Sequence, residues 1–531
     1  MTEQFDAIVV GGGHSGLVGA FYLARAGWRV LLLEAREQVG GCCVTEEVVP
    51  GYRCSSVANS SHSLDPRIIS DMRLTEHGLR YTSPELGSLT LFNDGRAFVP
   101  WPDRARRRAE VERFADGPED VEGFFAVIER TRRVSERMDI SFYDDPPSLA
   151  EVAARFRTPE EIADLNAFLF GSVADLLSEH LRSPELKAFF AATAVATNLV
   201  GPHTPGGAYL LLQRPLWEES MAAVGTDDRN DLMMRNAAPL GGIGSVTTAM
   251  AASIRSLGAR IETGARVERI LVDDAGSVAG VRLTDGREFR AGTVLSNVDP
   301  KLTFTRLLEP GALPAEFLAR ARAIKMDGTS AKVHIAMKGT PRFAAATSDE
   351  ENALFLPTNF RIASSIETLH EAYNEALMGR WSRRVTVTGI MDSAIDPDMA
   401  PPGHHIMSLS VRGVPYHLAE GDWDSQRDAL GQAVLETVSF HIPNLPDILD
   451  QVHVYTPLDL EREFGLLEGS GSHGDIMPGR IFDARPLPGA ADYRTPVGGL
   501  YLCGVGTWPA NFMSGVTGYN ASQRMLADRP A

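Results

Sequence analysis

Cysteine is scarce in this chain: four residues in 531, at positions 42, 43, 54 and 503. None stands in a C-x-x-C or C-x-x-x-x-C pair, which argues against a redox-active dithiol. A bridge between neighbouring Cys42 and Cys43 would be strained, so both read as small packing residues. The thirteen histidines show no H-x-x-x-H or paired Cys/His spacing, so no metal site is expected. No G-x-S-x-G nucleophile elbow stands out. Basic residues are outnumbered, 51 Lys and Arg against 69 Asp and Glu, for a net charge of −18. That argues against nucleic acid and against a polybasic membrane anchor, and reads as ordinary solubility. No apolar run is long enough to span a bilayer; the best candidate, Ala188 to Asn198, is interrupted by Thr and Asn and reads as a buried helix. No charged-then-apolar leader opens the chain, and the first strand begins almost at once, so a cytoplasmic location is expected. Peripheral membrane contact to collect a lipophilic substrate stays open, as does a homo-oligomer. Repeats and low-complexity tracts are absent.

What the chain does have is a glycine-rich turn in the right surroundings. Ala7-Ile8-Val9-Val10 is a β-branched apolar run of the kind a buried parallel strand needs. Gly11-Gly12-Gly13-His14-Ser15-Gly16 follows, and Leu17 to Ala26 reads as a helix closed by Gly27. Arg29 to Leu33 is a second apolar strand and ends on Glu34. The order is strand, G-x-G-x-x-G turn, helix, strand, acid. Gly11 permits the tight turn, Gly13 lets the backbone approach a pyrophosphate, and Gly16 lets helix and strand pack closely. The helix N-terminus, with His14 and Ser15 in its first turn, meets the phosphates. Glu34 is placed to accept ribose hydroxyls, and its charge would repel a 2′-phosphate, which disfavours NADP. NAD and FAD both remain at this point.

The rest of the chain reads as an interleaved α/β protein of more than one domain. Three stretches, 1–95, 235–300 and 480–531, are expected to make one discontinuous nucleotide-binding domain. The middle stretch holds a helix from Val246 to Leu257, strand-like runs at 260–263 and 267–272, a hairpin turn at Asp285-Gly286, and a short strand at 293–297. The Gly241-Gly242-Ile243-Gly244 cluster lacks a leading strand and the fingerprint spacing, so it reads as a turn before a helix. With no second fingerprint, a built-in NAD(P)H site is not expected. Segments 96–234 and 301–479 are expected to form an inserted mixed α+β substrate domain, the first mostly helical, the second carrying strands such as Ala331 to Met337.

Glu34 runs on through Ala35 and Arg36 to Gly40-Gly41. With Ala20, Leu23, Gly27 and Val30 at these spacings, the run resembles the extended motif of the glutathione-reductase-type FAD-binding superfamily. Near the other end, Leu500 to Gly506 is a short strand running into glycines, and Gly515-Val516-Thr517-Gly518 opens a last helix whose start suits the electron-rich edge of a flavin. Together with Val44 to Tyr52, Glu76 to Leu79, Pro202 to Gly207, Ser296-Asn297-Val298-Asp299-Pro300, Thr456 to Glu461 and His473-Gly474-Asp475, these runs resemble the phytoene desaturase-like FAD-dependent oxidoreductases. Within them the chain is most similar to the pyridine nucleotide-disulfide oxidoreductase domain-containing protein 2 group. The resemblance covers nearly the whole chain. It implies FAD in a Rossmann-type domain, with Gly11, Gly13, His14, Ser15, Gly16, Ala35, Arg36, Gly41, Cys42 and Asn297 among the cofactor-binding residues and Glu34 holding the adenosine ribose. It also implies Val267 against the adenine through its backbone, and Gly504, Val505, Gly515, Val516 and Gly518 lining pyrophosphate and flavin. The bulky loop Trp508 to Ser514 departs from the glycine-rich loop of carotene desaturases and speaks against a long polyene substrate.

The expected chemistry is desaturation of a C–C bond in a lipophilic or cyclic-ketone-like small molecule, with hydride transfer to flavin and electrons passing to oxygen or a quinone. A flavin amine oxidase is the first alternative, disfavoured by Val505 where amine oxidases often carry an acid. A flavoprotein with a binding or scaffold role is the second. His62 is a candidate base, and Trp508 and Tyr519 are candidate walls of the flavin face. His334 and His473 read as structural.

Overall fold

The computed structural model describes residues 3–59, 63–195, 200–223, 238–326, 330–363, 365–510 and 513–529. Its centre is a five-stranded, all-parallel sheet. The strands are β1 (Ala7–Val10), β2 (Val30–Leu33), β3 (Arg260–Glu262), β4 (Val294–Ser296) and β5 (Leu500–Leu502), in the spatial order β3-β2-β1-β4-β5. Ile8 pairs with Leu31, Val9 with Leu295, and Leu295 with Tyr501. Every residue of β1, β2, β4 and β5 is buried, which is why these runs are apolar without alternation. Helices α1 (His14–Arg25), α2 (Gly244–Ser256) and α3 (Val516–Ala527) belong to this layer. Gly27 ends the α1 turn with φ +84°, as its left-handed conformation requires. A β-hairpin sheet, with Val267–Val272, Val278–Leu283 and Glu288–Arg290 in antiparallel order, covers one flank, and Asp285-Gly286 makes its second turn.

The other large element is a seven-stranded mixed sheet. Its order is Leu449–Tyr455, Ser330–Met337, His405–Arg412, Thr386–Ile390, Asn359–Ile362, Ser88–Leu91 and Ala97–Phe98. One face is apolar: Val333, Ile335, Leu409, Val411 and Val387 pack with Trp423, Leu430, Val434 and Val438 of the helix Trp423–His441. The opposite face carries Lys332, His334, Ser408, Ser410 and Arg412 and is turned inward. The boundary expected at residue 95 falls between Ser88–Leu91 and Ala97–Phe98, both strands of this sheet. Ser88–Leu91 is held there by parallel pairing to Asn359–Ile362, some 270 residues on, which no local pattern announces. Helices between Arg104 and Ala223 form a third layer around a core that includes Phe98, Phe124, Phe168 and Phe190. Helix Pro184–Ala194 carries the start of the apolar run expected to be a buried helix.

Candidate active site

A cavity of about 730 Å³ runs from the ends of the parallel strands to the polar face of the seven-stranded sheet, within the range of small-molecule and cofactor sites. Its first part is the glycine turn. Gly11 has φ +95°, and a Cβ on Gly13 would stand 2.7 Å from Asn297 Nδ2, so the backbone must be bare here. No side chain caps α1 at Gly13, leaving its first-turn N–H groups for an anion. Glu34 is buried; Oε2 accepts from Gly12 N–H and Oε1 from Arg36 N–H, each at 2.8 Å. Asn297 Nδ2 donates to Gly11 O at 3.3 Å, tying the end of β4 to the turn. Arg36 pairs with Glu46 at 2.7 Å and lies over the Phe464 ring. Val267, first residue of its strand, closes the same end.

Of the expected cofactor residues, Gly11, Gly13, His14, Ser15, Glu34, Ala35, Arg36, Gly41, Cys42, Val267, Asn297, Gly504 and Val505 all line this one cavity. Gly16, Gly515, Val516 and Gly518 are packing residues outside its lining. A Cβ on Gly16 would meet Gly11 O at 2.3 Å, and one on Gly518 would meet Ser15 O at 2.0 Å. These glycines bring α1 against its turn and α3 against α1. Gly515 lies against Ile68 and Val18, and Val516 is fully buried in the helical core. Thr517 Oγ1 donates to Ser15 Oγ at 2.8 Å, a further α1–α3 tie.

The two aromatic candidates lie outside the lining of this cavity. Trp508 is buried in a separate small pocket, edge-on to Phe142, with Nε1 donating to Asp144 O at 3.1 Å. Tyr519 stands between Tyr22 and Tyr143 beneath the Arg67 guanidinium. Trp508 thus packs against Phe142 and Phe482, and Tyr519, on α3, packs against Tyr22 and Tyr143. His62 lies outside the described residues. His334 is buried among Cys54 Sγ, Ser408 Oγ and Ser56 O, which consume its ring nitrogens.

The electrostatics divide the cavity. Burial, with His473 beside it, lowers His14 to about 4, and burial with Arg485 nearby lowers His473 to about 4. Both rings are therefore held toward the neutral form. Burial raises Cys42 to about 11, against the pull of Arg36 and Lys332, and Cys43 well above its ordinary value. All four cysteines are free thiols, and these two stay protonated and unreactive at neutral pH. Asp299 is pushed up to about 6 by burial. At the opposite end, sequence reasoning missed the principal group. Lys332 is buried; Nζ donates to Ser410 Oγ at 2.9 Å and to Asn59 Oδ1. Burial and Arg412 push its ammonium down to about 7, with Asp392 opposing. The alternation of Lys332 and His334 with Val333 and Ile335 signals a two-faced strand, yet nothing local says that the polar face is interior.

Bare glycines, an open helix start and a buried acid at the end of the neighbouring strand fit the ADP half of a dinucleotide such as FAD, and the cavity continues to the polar face of the seven-stranded sheet. The flavin containing amine oxidoreductase family matches residues 14–526, and the chain belongs to that family: it is an FAD-dependent oxidoreductase with a Rossmann-type, glutathione-reductase-like α/β fold. It is similar to pyridine nucleotide-disulfide oxidoreductase domain-containing protein 2 of Rattus norvegicus, 30% identical across 99% of this chain and 94% of that one. This agrees with the resemblance read from the motifs. One of the limonene dehydrogenase subunits of Castellaniella defragrans is 26% identical across 99% of this chain and 95% of its own. A solved putrescine oxidase variant shares the fold, with a TM-score of 0.63 at 16% identity over 99% of both chains. Among the described residues no helix is long and apolar enough to cross a membrane.

Proposed function

We propose that this enzyme desaturates a C–C bond of a lipophilic or cyclic-ketone-like small molecule. In this reading residues 1–95, 235–300 and 480–531 hold the cofactor, while 96–234 and 301–479, joined by the strands at 88–98, enclose the substrate. FAD, when bound, supplies the two-electron acceptor for a hydride leaving the substrate, and oxygen or a quinone then takes the electrons. The proton on the neighbouring carbon must go to the protein. Lys332, near 7, is neutral for part of its time at physiological pH and lines the substrate end. It is suited to take that proton, with Ser410 and Asn59 holding Nζ in place.

The observation that carries this reading is the charge of the substrate end. The described residues lining the cavity there include Asn59, Ser63, Ser330, Lys332, Ser410 and Arg412. Lys332 and Arg412 stand among them and disfavour a protonated amine at that face, although Asp299, Glu463 and Asp475 also line the cavity. Val505 at the end of the last strand likewise supplies no acid. A relative named for limonene dehydrogenation supports C–C rather than C–N oxidation. The test is product analysis with purified holoenzyme and a quinone or oxygen. Loss of two hydrogens from a saturated ring or chain, matched one to one by reduced acceptor, is expected. Release of an aldehyde and ammonia from an amine would refute the reading.

A further inference from the structure

The inward face of the seven-stranded sheet carries more positive charge than proton removal needs. Lys332 pairs opposite Ser410, Ser410 opposite Thr388, and Thr388 opposite Arg361. Arg412 is two residues beyond Ser410 on the same strand. Opposed residues, and residues two apart, share a face, so Lys332, Arg412 and Arg361 stand on one side of three strands. Arg412 lines the large cavity. It also lines, with Arg361, a second cavity of about 30 Å³ whose other walls include Ala192, Leu369, Thr386 and Thr388. Among the described residues neither guanidinium has a carboxylate partner: burial alone acts on Arg412, and burial with Arg214 on Arg361. Arg412 Nε is buried with no hydrogen-bond partner among the described residues. Both stay charged at neutral pH, since burial lowers each only to about 10.

Two half-buried guanidinium groups with no carboxylate partner among the described residues are costly unless a ligand brings one. We propose that the substrate carries a carboxylate, seated between Arg361 and Arg412, with the bond to be oxidised lying in the large cavity toward Lys332. The proposal rests on the C–C oxidation reading for the second half of that sentence only. A cavity of this size holds about two waters, which matches the two oxygens of a carboxylate and is short for a phosphate. Guanidinium forks match carboxylates in a two-bond geometry. The carboxylate makes and breaks no bond; it orients the tail.

The test titrates the oxidised holoenzyme with benzoate, cyclohexanecarboxylate and decanoate, each beside its own amide, and with decylamine and decyl phosphate. Binding is read from perturbation of the flavin spectrum and from thermal stabilisation. At least one acid is expected to bind tenfold or more tightly than its amide, with decylamine and decyl phosphate weaker still. Arg412→Gln and Arg361→Gln should each weaken that acid about tenfold and leave the amide unchanged. The assignment is overturned if no acid outbinds its amide, if decyl phosphate outbinds decanoate, or if both variants bind the acid as the parent does. The wild-type comparison needs no variant to fold. Should an acid bind as expected while only amines reduce the flavin, the anion site stands and the oxidation reading falls. Reduction by neutral ketones without preference for acids does the reverse.

Discussion

Both oxygens of Glu34 are already engaged within the chain, by Gly12 N–H and Arg36 N–H. An ionised carboxylate offers about four acceptor positions, so ribose hydroxyls can be held without breaking either bond. Glu34→Ala removes both services and strands two buried donors, a loss of roughly 1–3 kcal/mol for each hydrogen bond. We expect that variant to purify with a reduced flavin-to-protein ratio and to bind added FAD at least about tenfold more weakly by fluorescence quenching. Lys332 gives a second prediction. Its ammonium is held near 7 instead of the usual 10.5, so flavin reduction should rise with pH through about 7 and level above it. Lys332→Met should slow reduction by roughly 10²–10⁴-fold and abolish that limb. The sign for stability also follows. Between about 7 and 10.5 the unfolded chain holds a proton that the folded one lacks, so this group raises stability as pH rises across that window. The Met variant should show a shallower increase of melting temperature over the same range. Glu34 was legible in the sequence because strand, turn and acid are close in the chain. Lys332 was not, since burial and the approach of Arg412 come from strands some 80 residues apart.

The junction of α1 with α3 joins the two ends of the chain. Gly518 lies so close to Ser15 that a methyl group would overlap its carbonyl oxygen. Gly518→Ala should cost roughly 1–3 kcal/mol by overpacking, lower the melting temperature and speed flavin loss, although it lies outside the cavity lining. A melting curve unchanged from the parent would show that α3 can shift without penalty. Local signals were enough for β1, α1, β2 and β5: apolar runs of strand length, glycines at the turns, an acid at the strand end. They were also enough for the hairpin at Asp285-Gly286. They do not choose where two readings fit the same residues. Trp508 and Tyr519 stand in the expected loop and helix, but an aromatic near a glycine turn can face either the cavity or the helical layer. Here Phe142 and Tyr22 claim them.

At the scale of the molecule, the parallel sheet is assembled from residues 7–33, 260–296 and 500–502, so no single stretch of chain completes the cofactor cradle. A chain ended before residue 495 loses β5 and α3 together. It should retain no FAD and fail to show the cooperative melting that FAD otherwise raises by linkage. The interleaving was visible as alternating strand and helix patterns, whereas the partners of the seven-stranded sheet were not, because its neighbours lie up to hundreds of residues apart. In the proposed reading that sheet supplies the chemistry, its inner face carrying Lys332 and Arg412 toward the substrate. The central claim, C–C oxidation at that face, is tested most directly by the anaerobic visible spectrum of the holoenzyme. It is titrated with one panel of saturated cyclic ketones and carboxylic acids and another of primary and secondary amines. Bleaching of the long-wavelength flavin band by members of the first panel alone is the predicted result; bleaching by amines would contradict the account and assign the enzyme to C–N oxidation.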